Sequence, residues 1–101
     1  MAEPELYPFI IDRPYGRVEV VMEVYGSGDD MIAGIYQLKG SIRLKPKRWL
    51  KVVRAHVKRL ELICKQSGCR ELRVAGRFWG HVLPDYEPYD GVPNGLRKVL
   101  I

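Results

Sequence analysis

PKRWLKVVRAHVKRLELICKQSG, residues 46–68, is bounded by the two residues that best punctuate a helix. Proline suits the first helical position, where its missing N–H would have no partner anyway, and glycine suits the position just past the end. At about 100° per residue, Trp49, Val53, His56, Val57, Leu60, Ile63 and Cys64 fall on one face. Lys47, Lys51, Arg54, Lys58 and Lys65 fall on the opposite face. The spacing predicts one long amphipathic helix of roughly five to six turns, apolar toward a sheet and basic toward solvent.

Upstream of this helix the run VEVVMEVY, residues 18–25, is rich in β-branched side chains and reads as a strand with one apolar and one mixed face. Gly26 to Asp30 supply a turn, and a second strand begins at Met31. Its later part alternates, with Tyr36, Leu38, Gly40, Ile42 and Leu44 on one side and Gln37, Lys39, Ser41, Arg43 and Lys45 on the other. Gly34 and Gly40 mark bulges or bends in it, or divide it in two; the residues leave that choice open. Residues 1–16 carry Pro4, Pro8 and Pro14 among apolar residues, which suits an extended arm, lying along the domain or reaching to a neighbour.

Downstream, residues 69–75 (CRELRVA) read as a strand parallel to the one before the helix, joined to it by a right-handed crossover. FWGHVL, residues 78–83, has the makings of a short second helix ended by Pro84, and residues 85–95 form a loop rich in Pro, Gly, Asp and Asn. LRKVLI, residues 96–101, is a final strand. The fold class expected is α/β, a mixed sheet with one long crossover helix and a short second helix, as an arm (1–16) and a single domain (17–101).

A chain of 101 residues supports one core, and 47% hydrophobic with 29% charged residues is ordinary for a globular protein. No apolar run is long enough to span a bilayer, and MAEPELYP lacks the regions of a signal peptide, so the expectation is a protein that is neither secreted nor transmembrane. Cys64 and Cys69 match no metal-site spacing, and His56 and His81 do not complete one, so buried thiols in a reducing compartment are expected and no metal. The net charge of +5 directs attention to an acidic partner.

LELICKQSGCRELRVAGRFWGHVLPDY, residues 60–86, followed by LRKVL, residues 96–100, resembles the carboxy-terminal signature of small proteins of tailed bacteriophages with the GNAT N-acetyltransferase fold. The resemblance covers roughly residues 36 to 101. It implies a truncated GNAT-like sheet, acetyl-CoA as the cofactor of an active member, and a virion or the bacterial host cytoplasm as the location. It also implies a Tyr after the last crossover strand as general acid to the departing thiolate; by spacing Leu83 sits nearest that place, and the candidate Tyr86 lies about one helical turn later, beyond Pro84. This chain departs from the pattern at the pyrophosphate cradle, because GSIRLKPKRWL (40–50) has no glycine after Gly40 and Pro46 removes a donor. Catalysis is therefore disfavoured, with no cofactor expected.

The block VAGRFWGHVLPDY, residues 74–86, follows a parallel strand, where open α/β sheets bind ligands, so Arg77 and Trp79 are candidate contacts. The plainer reading packs Phe78, Trp79 and Leu83 into the core, and it is preferred. The basic row on the helix fits phosphates of nucleic acid, an acidic protein surface, or plain solvent. The resulting expectation is a non-catalytic GNAT-like phage protein, a structural or accessory virion component that docks on other phage proteins in a larger assembly through its N-terminal arm, its sheet edge or its basic helix. The alternatives are an acetyl-CoA-dependent acetyltransferase and a nucleic-acid-binding accessory protein.

Overall fold

The computed structural model describes residues 5–26, 28–75, 79–89 and 91–100. The chain runs β1 (Glu5–Arg13), β2 (Gly16–Tyr25), a 3-10 turn (Gly28–Asp30), β3 (Ile32–Ile42), α1 (Pro46–Gln66), β4 (Glu71–Val74), β5 (Glu87–Pro88) and β6 (Leu96–Val99). The six strands form one mixed sheet in the order β1-β2-β3-β4-β6-β5. β3 and β4, the strands joined through α1, pair in parallel, and the other neighbours are antiparallel.

Most of the proline-bearing segment at the start is the edge strand β1, paired with β2 from Glu5 opposite Val24 to Arg13 opposite Gly16. Pro8 is tolerated there for a reason set by ladder phase. The Arg43 N–H donates to the Tyr15 carbonyl at 2.7 Å, one step beyond the Gly16–Ile42 pair. Ladder bonds alternate along an antiparallel strand, so Arg17, Glu19 and Val21 bond toward β3, and Val18, Val20 and Met22 toward β1. Pro8 lies opposite Val21, so its nitrogen faces the open edge and breaks no bond.

β3 is a single strand of eleven residues, and its irregularity sits at neither candidate glycine. Val21 pairs with Gln37 and Met22 with Ile35, which leaves Tyr36 as the extra, bulged residue. The bulge swaps the faces. Ala33 and Ile35 point to the core before it, and Leu38 and Ile42 after it, while Tyr36 is exposed, against the alternation read from the sequence.

The helix lies on one face of the sheet. Val57, Leu60 and Cys64 are buried against Val18, Val20, Met22, Leu72 and Val74, and Trp49 and Val53 pack at the margin. Leu72 and Val74 are almost fully enclosed, and burying each such side chain contributes about 2 kcal/mol. Leu6, Ile10 and Lys39 lie on the opposite face of the sheet.

The second helix is not formed by the described residues. The N–H groups of Val82 and Leu83 both donate to the Trp79 carbonyl, at 3.0 and 2.8 Å, giving a single turn before Pro84. Part of the loop read after it pairs with the sheet as β5, Glu87 opposite Arg97. Among the described residues no helix is long and apolar enough to cross a membrane.

Candidate binding groove

β3 and β4 pair over only three positions, Ile32 with Glu71 to Gly34 with Arg73, after which β3 continues to Ile42 paired with β2 and without β4 on its other side. The two strands therefore fork, and the turn after β4 packs across the opening. Under α1 this leaves a groove of about 360 Å³, walled by Leu38 and Ile42 of β3, Trp49, Val53 and His56 of α1, and Trp79 of the turn. Its size and mainly apolar lining are those of an ordinary ligand site.

Two contacts hold the groove in shape. Arg54 donates from Nε to the Val82 carbonyl at 2.8 Å and from Nη2 to the His81 carbonyl at 3.0 Å, tying α1 to the turn. Arg54 is thus half-buried and engaged, and is not one of the solvent-facing cations its place in the basic row suggested. Tyr15, in the β1–β2 turn, brings its hydroxyl to 3.3 Å from His56 Nε2. Burial, with the nearby charges of Arg13 and Arg59, lowers the His56 pKa, so its ring favours the neutral form.

Trp79 is 8% exposed, belongs to the core and also walls the groove. Its indole N–H points to the Ala75 carbonyl at 3.5 Å. Arg77 and Phe78 lie outside the described residues. Tyr86 does not line the groove. It is 7% exposed, and its hydroxyl donates to Glu61 Oε2 at 2.7 Å. Lys98 Nζ reaches Glu61 at 3.0 Å and Asp85 at 2.7 Å, completing a polar cluster between α1 and β6. Burial and the Glu61 carboxylate raise the Tyr86 pKa far above its ordinary value. A phenol so placed is a poor proton donor to a thiolate.

The start of α1 does not form a pyrophosphate cradle. Lys45 at the N-cap makes no side-chain cap bond, Pro46 has no N–H, and the first turn carries no glycine. Lys47, Lys51, Lys58 and Lys65 are exposed along the helix. Cys64 and Cys69 are free, buried thiols, and burial pushes Cys64 up to about 11, which leaves it protonated and inert at neutral pH. Among the described residues no group of three or more His, Cys, Asp or Glu is placed to hold a metal ion.

Sequence reasoning missed Tyr15, Leu38 and Ile42 as site residues. Leu38 and Ile42 carried a signal, because an apolar strand face running past the length of its partner strand has to be covered by something else. Tyr15 carried none, since only the hairpin turn brings it to a helix 41 positions away. Set against known proteins, the chain matches no protein-family model, no curated protein and no solved structure.

Proposed function

We propose that this protein is a non-catalytic, GNAT-like component of a bacteriophage that works by docking, taking an apolar segment of another phage protein into the groove at the strand fork. The groove carries the reading. Leu38, Ile42, Trp49, Val53 and Trp79 offer apolar walls, and the Tyr86 hydroxyl is held by Glu61 outside it. The sheet edge is a poorer docking place, since Pro8 interrupts the outward N–H row of β1 that an added strand would need.

A second reading, an acetyl-CoA-dependent acetyltransferase, is favoured by position alone, because the fork past a parallel strand pair is where open α/β sheets bind ligands. Titration calorimetry with acetyl-CoA and with CoA separates the two. The docking reading expects no heat and no rise in melting temperature with ligand in large excess. Binding near a Kd of about 1 μM, about −8 kcal/mol, would overturn it in favour of the enzyme. In the phage that encodes the chain, Leu38→Arg is expected to remove it from particles while the purified variant stays folded.

A further inference from the structure

The outward face of α1 is independent of the groove and carries a separate inference. Lys47, Lys51, Lys58 and Lys65 fall within about 40° of one another and form a straight row about 27 Å long. All four are exposed. Arg48 and Arg59, also exposed, form a second row about 100° further round. The one carboxylate of the helix, Glu61, borders this row one turn from Lys58 and Lys65, and its two oxygens are taken by Tyr86 and Lys98. Among the described residues none of these six cations forms an ion pair, whereas Arg70, Arg73, Arg97 and Lys98 all do.

We infer that this face binds the phosphate backbone of double-stranded nucleic acid without regard to sequence. A row of like charges whose one neighbouring acid is already engaged by Lys98 and Tyr86 matches a repeating polyanion better than a protein surface, which mixes both signs. Duplex is favoured over single strands by the aromatics. Trp49 and Trp79 are turned into the groove, so this face presents no platform on which bases would stack. Four lysines meeting four phosphates would release their counterions on binding, so affinity depends steeply on salt.

The test is fluorescence anisotropy of the whole protein with a labelled 25-base-pair duplex of arbitrary sequence. The expected fall in affinity between 50 and 200 mM salt is on the order of 100-fold, a log–log slope of about −3.6. The double variant Lys51→Gln/Lys58→Gln is expected to keep its melting temperature and reduce the slope by about 2. Lys39→Gln, on the other face of the sheet, is expected to change nothing. Three results would overturn the inference: no binding at 50 mM salt, a slope unchanged in the double variant, or a single strand bound more tightly than the duplex. Polyglutamate bound as tightly as duplex would also overturn it and assign the face to an acidic protein.

Discussion

Tyr86 lies in the stretch whose resemblance suggests a general acid, and its surroundings give it a different job. Its ring is buried with Val82 and Leu83, and its hydroxyl meets Glu61, which Lys98 neutralises from the other side. Removing the hydroxyl leaves Glu61 with its lysine and opens no cavity, so Tyr86→Phe is expected to cost about 1 to 2 kcal/mol in urea unfolding. It should leave duplex binding unchanged. The sequence showed that a tyrosine stands one turn past Leu83. It could not show where the hydroxyl points, because Glu61 meets it from 25 positions upstream and is itself held by Lys98 from a separate strand.

At the scale of elements, β1 shows how a residue that normally ends strands can sit inside one. Pro8 costs the sheet no bond, and it leaves a gap in the outward row of donors that discourages edge-to-edge pairing. Pro8→Val restores that donor on a strand already exposing Leu6 and Ile10. Concentration-dependent self-association is the expected outcome, read by sedimentation velocity, with the parent chain showing none over the same range. The helix and the strand–helix–strand order were legible from their apolar periods. The Tyr36 bulge was not, since a bulge shows only as a disagreement between two paired strands, and Gly34 and Gly40 were the more obvious suspects.

For the whole molecule, the titrating groups set a window of pH. His56 is held below its ordinary value of 6.5, so the stability tied to its neutral form is full above that pH and is lost as pH falls through the folded value. Asp85, lowered chiefly by the Lys98 hydrogen bond, adds a smaller loss below about 3.8, small because its side chain is largely exposed. Cys64 is raised by burial from 9.0 to about 11, so its contribution is full below 9.0 and lost as pH rises toward 11. Denaturation midpoints are expected to be flat between about pH 7 and 8.5 and to fall on both sides. His56→Gln should flatten the first part of the acid limb, just below pH 6.5, if the variant remains folded.

The sequence by itself determined the long helix, its apolar and basic faces, the two hairpin strands and the strand that follows the helix, because each rests on a period that local residues carry. It also placed the cations of α1, since helical geometry alone puts Lys47, Lys51, Lys58 and Lys65 in a row. Only the tertiary structure decided which of the basic residues were free. Arg54 was taken by the Val82 and His81 carbonyls, contacts across 28 and 27 positions that no local pattern encodes. The groove was decided in the same way. It exists because β3 outruns β4, and the length of a paired strand depends on its partner as much as on its own residues.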